Sequence, residues 1–277
     1  MISERLTRFT NGPYTFDVID SGPLDGIPVV LLHGFPERAS CWDAVAEHLH
    51  AAGVRTFAPD QRGYSPGARP RSRFAYGTEA LTSDIAALIA AIGQGPVHLA
   101  AHDLGAMVAW SVAANHPDLV STLTVAAPHP AAFLRSALTS RQGFKSYYML
   151  LFQTPFLPEW LLSSRRGQLT LRKGGMTKDM VADFRTGIVD YGALRGGIAW
   201  YRSFPRVTRG QFPNKVAAPT TVIWAERDAF IGRKALEISQ RWTTGPHEFE
   251  IFEDASHWIP NERPAEFAAS VRKRMGV

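Results

Sequence analysis

Residues 99–110 read LAAHDLGAMVAW, and the fold turns on how this stretch is interpreted. A β-prone run from Val97 to Ala100 stops abruptly at His102-Asp103-Leu104, and an alanine-rich helical run follows. A strand that turns sharply into a helix crowds its backbones, so small neighbours are needed. Ala101, Gly105 and Ala106 supply them. The residue at the tip of such a turn projects above a sheet, beside a helix N-terminus that favours negative charge. Asp103 is therefore a candidate nucleophile. The same pattern also suits an aspartate that simply caps a helix.

Working outward, Ile27 to Leu32 is a continuous apolar run, as in a strand buried on both faces. A helix is expected over 42–52, ending at Gly53, and a strand over 54–59. Leu81, Ile85, Leu88, Ile89 and Ile92 fall at helical spacing within 78–92. A strand at 97–101, a helix at 104–115 and a strand at 119–126 follow. Before them, residues 5–20 read as two short strands around Asn11-Gly12-Pro13. Strands alternating with helices predict an α/β chain with a mostly parallel, doubly wound sheet. The alternation breaks between about 129 and 213. It resumes with a strand near 219–225, a helix near 232–242, a strand at 247–252 and a helix near 262–274. The expected organisation is a core of residues 1–128 and 214–277, with a helical cap, 129–213, inserted into it.

Three further places carry chemistry. VVLLHGFPE puts Gly34 after a buried strand, and the Phe35 N–H can pair with the Leu104 N–H as the two donors of an oxyanion hole. His33-Gly34 also reads as a plain strand-end turn. Asp228 follows one predicted strand in WAERD, and His257 follows the next in DASHW. Residues just after parallel strands gather at one edge of a sheet, where sites of open α/β folds lie. Glu226 and Asp254 compete with Asp228 for the histidine. Glu226 lies too near its strand, and Asp254 too near His257 in the chain.

Taken together, HGFPE, DQRGYS, AHDLGA, WAERD and SHW resemble the epoxide hydrolase branch of the α/β-hydrolase superfamily, and the resemblance spans the whole chain. It implies the α/β-hydrolase fold, Asp103 as nucleophile, Asp228 as orienting acid, His257 as base and Pro36 as a cis proline. The loop AAPHP lacks the alternative acid that some relatives carry. SYYMLLFQTP and IAWYRSF resemble the cap segments that hold the family's epoxide-polarising tyrosines. They select Tyr148, with Tyr147 as the fallback, and Tyr201. These tyrosines also suit cap-core aromatics with one wet end.

An aspartate nucleophile implies different chemistry from a serine. A carboxylate adds reversibly to carbonyls but can open a strained or activated sp³ carbon, leaving an alkyl ester that activated water then hydrolyses. Epoxides and alkyl halides both fit. An alkoxide leaving group needs a proton donor, which a phenol with a usual pKa of about 10 provides. A halide needs N–H donors. Haloalkane dehalogenases carry Trp after the nucleophile, and fluoroacetate dehalogenases carry Arg there. Leu104 supplies neither, so the haloalkane-type dehalogenase is the alternative and a non-catalytic ligand-binding protein the third reading. Met149 stands where some relatives carry Gln. The expected pocket is apolar, from Phe133, Met149, Phe152 and Trp200 in the cap and Phe35 and Trp258 in the core, with Phe144, Phe156 and Leu157 as further cap candidates. The implied partners are a small hydrophobic epoxide and water.

The bulk properties agree with such a reading. The 277 residues suffice for one α/β domain with an insert, and 45% hydrophobic with 20% charged residues is typical of a globular chain. The net charge of +5 comes from scattered arginines without an aromatic-interleaved basic motif, so nucleic acid is not an expected partner. The single cysteine, Cys41, excludes an internal disulfide and fits a cytoplasmic protein, monomer or homodimer. The N-terminal residues lack a signal-like apolar core, and Pro155 and Pro158 break the most apolar stretch, so no membrane span is expected. No histidine spacing matches a metal site, and RKGGMTK lacks the context of a phosphate loop, so no metal or cofactor is expected.

Overall fold

The computed structural model describes residues 4–204 and 214–277. Its strands are β1 (Arg8–Asn11), β2 (Tyr14–Ser21), β3 (Ile27–Leu32), β4 (Val54–Pro59), β5 (Val97–His102), β6 (Val120–Ala126), β7 (Thr220–Ala225) and β8 (His247–Phe252). They form one eight-stranded sheet in the order β1-β2-β4-β3-β5-β6-β7-β8. β1 and β2 make the expected antiparallel hairpin, and β2 pairs antiparallel with β4. Every pairing from β4 to β8 is parallel. The chain has the α/β-hydrolase architecture that its motifs imply.

Helices α1 (Asp43–His50), α2 (Thr78–Ile92) and α3 (Asp103–Asn115) connect the first strands. Between β6 and β7 the described residues form seven short α-helices, α4 (Pro130–Thr139), α5 (Gln142–Lys145), α6 (Tyr148–Leu151), α7 (Leu157–Ser163), α8 (Arg165–Lys173), α9 (Lys178–Phe184) and α10 (Leu194–Ser203), with a π-helical turn over Arg185–Asp190 after α9. The predicted end of this insert, 205–213, lies outside the described residues. The chain closes with α11 (Arg233–Glu237), α12 (Ile259–Glu262) and α13 (Pro264–Met275). No helix among the described residues is long and apolar enough to cross a membrane.

The apolar patterns explain the layers. β4 is buried along its whole length, and Val29 to Leu32 of β3 are fully buried, as a sheet covered on both faces requires. On one face, the α2 stripe Leu81, Ile85, Leu88, Ile89 and Ile92 packs with α3 over Leu32 and Leu99. On the other, Val45 and Leu49 of α1 meet Phe267 of α13 over Leu31. The helix expected over 232–242 is shorter than its periodicity suggests. α11 ends at Glu237, and Ile238–Trp242 tightens into a 3-10 turn. The buried Ser239 hydroxyl donates to the Ala235 carbonyl and accepts the His129 N–H, both at 2.9 Å. That tertiary tie outweighs the local helical preference.

The insert rests on the sheet at one end through its backbone. A Cβ on Gly196 of α10 would sit 2.2 Å from the Gly63 carbonyl oxygen, so neither glycine has room for a side chain. The Trp200 indole beside this contact donates to the Arg62 carbonyl at 2.7 Å. Tyr191 lies between the Arg38 and Arg69 guanidiniums, 4.0 and 4.5 Å from its ring centre.

Candidate active site

Asp103 opens α3 directly from β5 with φ of 50°, a left-handed conformation that is strained for any residue but glycine. The reading of Asp103 as a helix cap does not hold. The residue preceding α3 is His102, and Asp103 Oδ1 accepts instead from the Phe35 N–H at 2.9 Å, across from another strand end. The small neighbours are needed as expected: a Cβ on Gly105 would lie 2.3 Å from the Leu32 carbonyl oxygen. Phe35-Pro36 is a cis peptide, as the resemblance implied.

Gly34 is required by the nucleophile itself. A Cβ there would come within 2.4 Å of Asp103 Cβ and 2.6 Å of Oδ1. Gly34→Ala must displace the carboxylate from the Phe35 N–H. A misplacement of about 1 Å costs on the order of 10²-fold in rate. The expected result is a kcat reduced by about 10²-fold with the thermal melting curve retained. A wild-type kcat in Gly34→Ala would refute the demand.

β7 and β8 deliver the other two members. His257 Nδ1 meets Asp228 Oδ2 at 2.9 Å, and His257 Nε2 stands 3.7 Å from Asp103 Oδ2. Asp228 Oδ1 accepts the N–H groups of Phe230 and Ile231 at 2.7 and 2.8 Å. The competing acids are elsewhere: Glu226 accepts from the Asp254 N–H, and Asp254 is exposed beside Arg227. Burial opposes charge on both members of the His257–Asp228 pair. Their mutual attraction prevails, with help from the Asp103 charge, and raises His257 to about 9. The same attraction and the two backbone N–H groups hold Asp228 below its usual range.

An apolar cavity of about 270 Å³ lies over Asp103. Tyr148 and Tyr201 line it together, their rings 5.9 Å apart. Burial, with the Asp103 charge nearby, keeps both phenols above their usual range, so both remain protonated at neutral pH. The fallback Tyr147 is instead exposed.

The predicted pocket residues separate into groups. Phe133 and Met149 line the cavity, as does Leu104. Phe35 and Phe152 pack edge-on behind Tyr201, at 5.4 and 5.0 Å, and Trp258 packs on the His257 ring at 5.0 Å. Trp200 is a correction: it is a core residue, with its N–H on a carbonyl and its ring against Tyr64. Phe144, Phe156 and Leu157 are exposed and do not line this cavity. Their apolar character did not specify which way they face.

Other lining residues went unread: Thr78, Pro130, Leu134, Phe204 and Ile231. Met107, one helical turn after Asp103 and on the same face, was legible from spacing alone. Also unread was the support behind the histidine. His102 Nε2 donates to the His257 carbonyl at 2.9 Å, and Phe230 packs on the His257 ring. No group of three or more metal-binding side chains occurs among the described residues.

This arrangement resembles that of known proteins. Residues 27–264 match the α/β hydrolase fold family. A protein named epoxide hydrolase 3 from Xenopus tropicalis is 34% identical, across 96% of this chain and 76% of its own. An α/β hydrolase superfamily protein of Bacillus subtilis is 32% identical over 92% of both chains. Among solved structures, an epoxide hydrolase from hot-environment metagenomes superposes with a TM-score of 0.82 at 27% identity, covering 99% of both chains. An aspartate at the strand-to-helix elbow after β5, an acid after β7 and a histidine after β8, and these matches over nearly the whole chain place the protein in the epoxide hydrolase branch of the α/β hydrolase superfamily.

Proposed function

We propose that this hydrolase opens small hydrophobic epoxides to vicinal diols through an ester on Asp103. The observation that carries the reading is the pairing of an Asp103 carboxylate with two protonated tyrosines across one apolar cavity. Residues 1–128 and 214–277 act as the catalytic core and 129–213 as its cap.

One Asp103 oxygen attacks an epoxide carbon while Tyr148 or Tyr201 protonates the departing oxygen. This leaves a hydroxy-alkyl ester and a phenolate, which recovers a proton from the His257 imidazolium. Alkylation also removes the Asp103 charge that helped raise His257, so the imidazole becomes a base when one is needed. It takes a proton from water, and the hydroxide attacks the ester carbonyl. The oxyanion is held by the Phe35 N–H and by the Leu104 N–H, which has no intrahelical carbonyl to take it. Collapse expels the diol oxygen, which His257 protonates. The Asp103 acid then returns its proton to His257, restoring the starting state.

The indole N–H groups of Trp200 and Trp258 are engaged by backbone carbonyls, and Leu104 has no side-chain donor. This favours an epoxide over a halide. The protein needs no cofactor in this scheme, and we place it in the cytoplasm as a monomer or homodimer. Tyr148→Phe and Tyr201→Phe are each expected to slow ester formation by about 10²–10⁴-fold, the usual range for a general acid. Rapid-quench measurement with an aryl epoxide checks this. Unchanged ester formation in the double variant, or halide release from haloalkanes exceeding diol formation by wild type, counts against the reading.

A further inference from the structure

We propose that helices α4–α8 form a docking face for an anionic lipid bilayer. These helices turn apolar residues outward. Phe144, Tyr147 and Leu150 follow one another at three-residue spacing and are 84%, 66% and 77% exposed. Phe156 and Trp160, four residues apart, are 82% and 66% exposed. Phe156 also holds a left-handed φ of 63°, a conformation that a bulky residue rarely adopts. Large apolar side chains exposed in this number on consecutive helices of a single chain mark an interaction surface.

The charges identify the partner. Arg135, Arg141, Arg165, Arg166, Arg172 and Lys173 are exposed on the same helices, and none is in an ion pair among the described residues. The one acid of α4–α8, Glu159, is bound by Arg202. Aromatic and aliphatic side chains interleaved with basic ones suit the interface of an anionic bilayer. A second copy of this chain would oppose like charges across a two-fold axis. A nucleic acid would neutralise the arginines but leave the rings in water.

The face adjoins the cavity. Leu134 lines the cavity while 44% exposed, and α6 carries Leu150 outward and Tyr148 into the cavity. Docking therefore brings the cavity to the lipid surface, where apolar epoxides collect. That consequence rests on the epoxide hydrolase reading, whereas the docking itself does not.

The test is co-sedimentation of the full chain with vesicles of phosphatidylcholine, with or without phosphatidylglycerol. We expect at least about tenfold more protein bound to the anionic vesicles, and release at about 1 M salt. Phe144→Ser/Trp160→Ser and Arg165→Glu/Arg166→Glu are each expected to abolish binding, with melting temperature and turnover of a water-soluble epoxide unchanged. Equal or absent binding to the two vesicle types overturns the proposal. So does a wild-type dimer in sedimentation analysis that Phe144→Ser/Trp160→Ser converts to monomer. Vesicle binding by a protein that turns over no epoxide supports docking and counts only against the proposed activity.

Discussion

His257→Ala is expected to open one epoxide per molecule and then stop. The variant keeps the Asp103 carboxylate on the Phe35 N–H and keeps both tyrosines, so the alkylation machinery survives. Lost is the group that withdraws a proton from water, and steady-state turnover should fall by at least about 10²–10⁴-fold. The ester then accumulates. Intact mass spectrometry should find a gain equal to the whole epoxide, in a one-to-one ratio, and no gain in Asp103→Asn/His257→Ala. A mass gain only from a haloalkane, less its halogen, would transfer the reading to dehalogenation. Absence of any gain, in a variant whose melting curve is intact, would refute the ester.

Asp228→Asn is expected to be nearly as severe, and for a reason visible in its contacts. Asp228 Oδ1 accepts two backbone N–H groups, so the amide oxygen of asparagine must occupy that position. Its NH₂ then faces His257 Nδ1, which becomes an acceptor and moves the ring proton to Nε2. That tautomer cannot take a proton from water. A loss of about 10⁴-fold in hydrolysis follows, as for the wrong tautomer in other triads, again with trapped ester.

The pH dependence of stability carries a second signature. His257 titrates at about 9 when folded, against 6.5 as its ordinary value. The stabilisation is therefore complete below about pH 6.5 and is lost as pH rises through about 9. The Asp228 contribution has the opposite sense, present above the ordinary carboxylate range and lost as pH falls below it. Melting temperatures measured from about pH 6 to 10 should fall more steeply for wild type than for Asp228→Asn. Parallel curves would contradict the charged pair.

Much of this was readable because its physics is local. A continuous apolar run located β3. Strands β4 and β8 also have the bounds expected for them, and helical spacing located α2. Asp103, Asp228 and His257 were placed by their positions just after strands, which parallel topology converts into proximity. The insert resisted the same treatment. Among the described residues its α-helices run to ten residues at most, and several span a single turn, so spacing cannot separate an inward ring from an outward one. Trp200 was misplaced because its partner, the Arg62 carbonyl, lies 138 residues away in sequence. Phe133 and Phe144 looked alike in sequence, yet one lines the cavity and the other faces solvent.

The Gly63–Gly196 approach fixes where the insert can move. Backbone pressed on backbone has no side chain to slide or re-pack, and Trp200 and Tyr191 clasp the same end. A hinged lift of the whole insert would have to break that seam. The α4–α5 end is tied down as well, through Gln142 to the Phe230 carbonyl and the Gly232 N–H and through Lys145 to the Asp228 carbonyl, so the insert is pinned to the core at both ends.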